Sequence, residues 1–141
     1  MGKLYLISLI LISLVTTACN SNQITVQDPW ARPGIAGGTS AVYFTIDNPT
    51  SQDELLLTAT TNIAENAELH LSNMSPDGMM TMEHQESVPI PASMKINFQP
   101  GGLHVMLINL NEDLETGDRF TLTLNFKEAG DITLDVPVKN P

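Results

Sequence analysis

The chain has 141 residues, of which 42% are hydrophobic and 16% charged, a composition typical of one globular domain rather than a disordered or fibrous chain. Six basic residues stand against sixteen acidic ones, which gives a formal charge of −10 at pH 7. Because the sequence has no basic patch, we expect no nucleic-acid partner. Aromatic residues make up only 5% of the chain, so we expect a core built from Leu, Ile, Val and Met.

The N-terminal segment has the organisation of an export signal. Lys3 provides a short positive region, residues 4–15 form an apolar run, and residues 16–18 are small, as at a cleavage site. The apolar run is too short to remain in the mature protein as a membrane-spanning helix. We therefore predict that residues 1–18 are a signal peptide of the lipoprotein type.

Cys19 is the only cysteine of the chain and directly follows this segment. Residues 15–19 resemble a bacterial lipobox, although Thr16 occupies the position where leucine is usual. The resemblance implies that residues 19–23 are a lipidated cysteine and a short polar tether. The protein is then exported, periplasmic and anchored to a membrane through Cys19, with inner or outer membrane left open. A free or buried thiol in an ordinary secreted protein is the alternative.

The remaining residues, 24–141, are predicted to form one all-β domain. No window has the pattern of a long amphipathic helix, and turn residues recur about every ten positions, as in antiparallel sandwiches. Short alternating segments predict strands at residues 24–26, 41–46, 54–61, 68–73, 79–84, 94–98, 103–110, 119–126 and 131–136. The acidic segment 111–118 is interpreted as an exposed loop with at most one helical turn. We therefore predict a two-sheet β-sandwich.

Histidine and methionine are concentrated between residues 68 and 110. This stretch has no cysteine and contains all three histidines and six of the seven methionines: His70, His84, His104, Met74, Met79, Met80, Met82, Met94 and Met106. Thioether sulfur is a soft, uncharged ligand that favours Cu(I) over zinc, magnesium or calcium. The stretch therefore predicts a copper site.

Strand geometry places His104 and Met106 on one face, because alternate residues of a strand project to the same side. The turn at residues 100–102 precedes this pair and would place His104 at the mouth of the sandwich, within reach of solvent. One metal ion can be held by such a pair.

A hairpin is predicted around the turn at residues 75–78. If Gly78 adopts the left-handed bulge that is common in such hairpins, His70 faces His84 and Met82 lies diagonally beside His70. Without the bulge, His70 and His84 lie on opposite faces. The predicted site therefore depends on this local conformation.

Each of these residues also has a structural explanation. Methionine in a β-sandwich is more often a core filler than a ligand, and a single His-x-Met is a weak signal. Met74, Met79 and Met80 are either a soft outer shell of the metal site or exposed hairpin residues. Two His-Met pairs in one exported chain nevertheless favour the metal site.

The spacing of four residues resembles the signature of the periplasmic copper chaperone family, the PCu(A)C-like proteins. His70 is followed by Leu71 and ten residues, then Met82, twenty-one residues, His104, one residue and Met106. The family often has methionine at the position of Leu71. Further segments similar to the family are residues 28–33, 41–43, 48–49, 77–80 and 100–102.

This resemblance implies a cupredoxin-like Greek-key β-sandwich that binds Cu(I) through His70, Met82, His104 and Met106. It also implies a copper-delivery function rather than an enzymatic one. The implied acceptor is the copper A centre in the copper subunit of cytochrome oxidase, reached directly or beside a Sco-like thiol protein.

Other functional classes have less support. The chain has no phosphate-binding loop, HExxH motif or serine elbow. A blue-copper electron carrier would need a cysteine thiolate next to histidine, and Cys19 lies far up the chain. The competing hypothesis is a metal-free surface lipoprotein that serves as an interaction module. The sequence leaves open the acceptor, the oligomeric state, and whether Cu(II) also binds with help from His84 or Glu83.

Overall fold

The computed structural model describes residues 22–140, which form ten β-strands and no helix. The strands are β1 Thr25–Ala31, β2 Thr39–Asn48, β3 Glu54–Thr61, β4 Ala64–Met74, β5 Met80–His84, β6 Val88–Ile90, β7 Met94–Phe98, β8 Leu103–Leu110, β9 Arg119–Phe126 and β10 Gly130–Pro137. The predicted signal peptide and Cys19 lie outside the described residues. Within those residues there is accordingly no helix of the length and apolarity needed to cross a bilayer.

Two sheets pack face to face and confirm the predicted all-β sandwich. The larger sheet has six strands in the order β1-β2-β7-β8-β4-β5, with a further pairing between β2 and β8. The smaller sheet has the order β10-β9-β3-β6. The pairings are antiparallel except for a short parallel contact between β7 and β8. In the larger sheet, β4 therefore lies between β5 and β8.

The core is aliphatic and phenylalanine-rich, and it lies between the two sheets. All four phenylalanines are buried there: Phe44, Phe98, Phe120 and Phe126. The expectation that methionine contributes to the core is wrong, since no methionine is among the buried residues that the structure describes. Because the core excludes them, the methionines need another explanation.

Two differences from the predicted strands stand out. Strand β1 continues to Ala31, past an irregularity between Gln27 and Trp30, where only residues 24–26 were predicted. Strand β6 was missed because it has three residues and Pro89 at its centre, which weakens any strand pattern. Residues 111–118 form a loop without a helical turn, which agrees with the prediction of at most one.

Asn48 ties the two sheets together at the end of β2. Its side chain is fully buried, and Nδ2 donates to the carbonyl oxygens of Gln52, Ile90 and Pro91 at 2.9, 3.1 and 3.2 Å. Its Oδ1 accepts from the backbone N–H of Thr50. Since Ile90 belongs to the smaller sheet, one amide joins both layers with its hydrogen bonds satisfied.

Glu54 has a similar function at the other sheet. Its buried carboxylate accepts hydrogen bonds from the backbone N–H groups of Leu55, Glu128 and Ala129 at 2.8–3.1 Å. Burial alone would raise the pKa of Glu54, but these donors together lower it below its ordinary value of 4.5. The charged form therefore stabilises the turn between β9 and β10.

This carboxylate gives the fold a defined response to acid. Because the pKa of Glu54 is lower in the folded state, its contribution is present above about pH 4.5 and is lost as pH falls through the folded-state pKa. We expect Glu54→Gln to lower the free energy of unfolding at pH 7 by about 1–3 kcal/mol. Urea unfolding should also show a weaker dependence on pH below 4.5 than in the wild type.

The exposed neighbour Glu128 provides the control, because its side chain makes only a 3.7 Å contact with Lys127. Glu128→Gln should leave both the stability and its pH dependence close to wild type. An equal acid dependence in Glu54→Gln and the wild type would contradict the assignment.

Candidate metal centre

The three histidines form a row across the outer face of the larger sheet. His70 on β4 pairs with His84 on β5 and with His104 on β8. The ring centroid of His70 lies 5.7 Å from that of His84 and 5.8 Å from that of His104. The inward neighbours Leu69 and Val105 are buried in the core, so alternation turns the histidines to the opposite face.

The β4–β5 hairpin has the predicted register. Gly78 has a φ of 84°, and the backbone N–H of Ser75 donates to the carbonyl oxygen of Met79 at 2.8 Å. The left-handed conformation favours glycine and inserts the extra residue of the bulge. This conformation brings His70 opposite His84, and the pairing of Met82 with Ser72 places Met82 diagonally beside His70, as predicted.

His104 has a defined tautomer. Its Nδ1 lies 3.0 Å from the carbonyl oxygen of Gly102, and because a carbonyl only accepts, Nδ1 carries the proton and donates. The lone pair of the neutral ring is therefore on Nε2. His104 is 4% exposed, so the expectation of a solvent-accessible position at the mouth of the sandwich is wrong. His104 lies instead on the outer face of the larger sheet, where neighbouring side chains cover it.

His70 has the opposite arrangement. Its Nε2 lies 2.9 Å from Oε2 of Glu68, and the carboxylate accepts from Nε2–H. The lone pair is then on Nδ1, which is buried and has no hydrogen-bond partner among residues 22–140. Buried polar atoms are nearly always satisfied, and an exception is a candidate for a missing ligand such as a metal ion.

Methionine side chains share a cavity with His104. A cavity of about 420 Å³ is lined by Tyr43, Met80, Met82, His104 and Met106, among others. Met82 is 59% exposed and Met106 is half-buried, so neither is a core residue. The structure thus brings three of the four predicted ligands into one cavity. The fourth, His70, lies beside His104.

The remaining methionines divide into two groups. Met80 lies two residues from Met82 on β5 and lines the same cavity, which the sequence had left open. Met74 and Met79 are exposed at the tip of the hairpin and do not line the cavity. Met94 is exposed on β7, where it pairs with Asn48 outside the cavity.

Tyr43 also lines the cavity, a contact that the sequence did not predict. Tyr43 is buried, with its ring centroid 6.3 Å from that of His104 and 4.7 Å from that of Trp30. The Arg32 guanidinium lies 5.7 Å from the Tyr43 centroid. Burial raises the pKa of Tyr43, and the charge of Arg32 offsets this only in part. The phenol therefore stays neutral at physiological pH.

The two tautomers can be measured by ¹⁵N NMR of the imidazoles in metal-free protein at pH 8. We expect His70 to be protonated at Nε2 and His104 at Nδ1. Glu68→Ala removes the acceptor of His70 and should release its tautomer preference, while Glu68→Gln retains an acceptor oxygen and should preserve it. The His104 signals should be unchanged in both variants. Identical tautomers in the two rings would contradict this arrangement.

Fold and outer face together define a cupredoxin-like β-sandwich with histidine and methionine side chains clustered on one sheet. Residues 24–138 match the family model described as "Putative lipoprotein LpqE-like". The chain belongs to this family.

A relative from Leifsonia xyli subsp. xyli (strain CTCB07), named "Putative lipoprotein Lxx21020", is 30% identical over 129 residues. The alignment covers 91% of the present chain and 76% of that protein. The similarity therefore extends over most of the chain and supports the same family assignment.

Two solved structures share the fold. The apo PCuAC domain from PmoF1 is 25% identical with a TM-score of 0.72, over 84% of this chain and 95% of that domain. The solution structure of CuI-DR1885 from Deinococcus radiodurans is 25% identical with a TM-score of 0.65, over 86% of this chain and 83% of that one. These likenesses confirm the cupredoxin-like Greek-key sandwich and the resemblance to PCu(A)C-like proteins.

Proposed function

We propose that this chain is an extracytoplasmic copper chaperone that carries Cu(I) as cargo through His70, Met82, His104 and Met106. The observation that carries the proposal is the buried, unpartnered Nδ1 of His70, whose ring lies beside His104 and the methionine-lined cavity. The solved relative named CuI-DR1885 supports the choice of metal. The role is one of binding and transfer, and it requires no catalytic step.

The donor set suits Cu(I). Two neutral imidazoles and two thioethers carry no charge, so the bound ion keeps its single positive charge. Thioether sulfur disfavours harder divalent ions such as magnesium and calcium, which prefer oxygen ligands. A thioether also resists the thiol oxidation that would disable a cysteine site outside the cytoplasm. The set is therefore selective and stable in an oxidising compartment.

The proposed ligands differ in burial, and the most exposed of them marks the side from which copper can be transferred. His104 is buried and His70 has a side chain only 13% exposed, whereas Met82 is 59% exposed on an edge strand. A ligand from an acceptor can approach on the Met82 side and bind copper before the histidines release it. Transfer is then an exchange of ligands, with the copper subunit of cytochrome oxidase or a Sco-like copper protein as the proposed acceptor.

The proposed location is the periplasmic side of a membrane. Residues 1–18 direct export, Cys19 is lipidated, and residues 19–23 tether the copper domain that follows. The family description and the named Leifsonia relative both support a lipoprotein. An anchored chaperone would remain close to membrane-bound acceptors.

Copper binding is tested by titrating Cu(I) anaerobically into the purified full-length chain in a Cys19→Ser background, which removes the competing thiol. Met82→Leu and Met106→Leu keep the side-chain size but remove the sulfur, so Cu(I) affinity should fall by about 10- to 100-fold or more. Competition with a chromophoric Cu(I) chelator measures the affinity.

Met94→Leu is the matched control, because Met94 is exposed, as Met82 is, but lies outside the cavity. It should bind Cu(I) like the parent. A parent protein that binds no Cu(I) would support the metal-free interaction module instead. Cu(I) affinity that is unchanged in Met82→Leu and Met106→Leu would refute these two residues as ligands.

Lipidation is tested separately by expressing the full-length chain and its Cys19→Ala variant in a bacterial host. The parent should appear in the membrane fraction with the mass of a lipidated N-terminus, and the variant should lack that mass. Equal mass and fractionation of the two would refute the anchor.

A further inference from the structure

A second group of ligand atoms lies around His70, and none of its three residues lines the methionine cavity. Oε2 of Glu68 is 2.9 Å from Nε2 of His70 and 3.5 Å from Nδ1 of His84. The three potential ligand atoms lie within 4.8 Å of one another. The proposed Cu(I) site uses neither Glu68 nor His84, so this group has no assigned function.

We propose that Glu68, His70 and His84 form a second site, which binds a divalent cation of the Cu(II) or Zn(II) class. Two ligands of one such ion, at bond lengths of about 2.1 Å, lie at most about 4.2 Å apart. The observed 2.9 and 3.5 Å separations fall within that limit, so small side-chain adjustments complete the site.

The chemistry of this group differs from that of the methionine cavity. Two imidazole nitrogens and one carboxylate oxygen are typical ligands of Zn(II) and Cu(II), and the carboxylate offsets one of the two positive charges. No thioether belongs to the group. His84 is 56% exposed and Glu68 37% exposed, so water can complete the coordination shell. The site is therefore suited to a harder ion than Cu(I).

Glu83, which the sequence offered beside His84 as a possible Cu(II) ligand, is not part of this group. It pairs with Leu71 across the hairpin and so lies on the opposite face of β5 from His84. The carboxylate that the fold brings to His84 is Glu68 on the neighbouring strand.

His70 couples the two sites, an inference that depends on the proposed Cu(I) function. A neutral imidazole has one lone pair, so when Nδ1 binds Cu(I), Nε2 keeps its proton and donates to Glu68. Binding a divalent ion through Nε2 requires that proton to leave and Nδ1 to be protonated from solvent. The number of protons on the ring is unchanged, but the Cu(I) ligand is lost. The two ions therefore compete for His70.

The divalent site is tested with Cu(II), supplied as its glycine complex, on the full-length chain in the Cys19→Ser background. His84→Ala and Glu68→Ala should each weaken Cu(II) binding by about 10- to 100-fold. The Cu(II) EPR spectrum should show nitrogen coupling that decreases in His84→Ala. Circular dichroism verifies that both variants are folded.

Glu83→Ala is the matched control, since it removes an exposed carboxylate next to His84 on the opposite face. It should bind Cu(II) like the parent. If His84→Ala and Glu83→Ala bind Cu(II) equally well, the second site is refuted.

Competition is tested with Zn(II), which has no redox chemistry to confuse the result. Preloading the chain anaerobically with Cu(I) should weaken Zn(II) binding at least about tenfold, and Met82→Leu, which lowers Cu(I) affinity, should relieve this effect. Unchanged Zn(II) affinity would refute the coupling through His70. Failure of the Cu(I) function would appear separately, as normal Cu(II) binding in a chain that binds no Cu(I).

Discussion

The register of β4 determines the rest of the candidate metal centre. This strand pairs on both sides, and the same two-residue alternation that buries Leu69 turns His70 outward between His84 and His104. A shift of one residue would move His70 into the apolar core and remove the histidine row. The core fixes the register from inside, and the Gly78 bulge fixes it at the hairpin. Packing far from the ligands therefore positions them.

His70 lies between His84 and His104, and its two ring nitrogens have different surroundings. Nε2 donates to the carboxylate of Glu68, while Nδ1 is left buried and without a partner among the described residues. His104 is oriented by the carbonyl oxygen of Gly102, which leaves Nε2 as its free nitrogen. Each ring thus has one nitrogen fixed by a hydrogen bond and one available lone pair. Such partners orient a metal-binding histidine before the ion arrives, which lowers the cost of binding.

Much of this arrangement could be predicted from sequence, because it is local. Alternation along a strand places His104 and Met106 together, and the turn residues before Gly78 predict the hairpin register that pairs His70 with His84. The pairing of β4 with β8 could not be predicted, because it joins segments far apart in the chain. For the same reason, the contact between Tyr43 and His104 and the orphaned Nδ1 of His70 were missed. Methionine was expected in the core, but the phenylalanines and aliphatic residues fill it.

The two halves of the candidate centre differ in how firmly the fold holds them. His104 and Met106 belong to β8, which pairs with β2, β4 and β7 and contributes Val105 and Leu107 to the core. Met82 belongs to β5, an edge strand whose five residues are all exposed and which pairs only with β4. Displacing β5 disrupts one ladder and no core contact, so its opening costs far less free energy than any movement of β8. The fold therefore holds His104 and Met106 more firmly than it holds Met82.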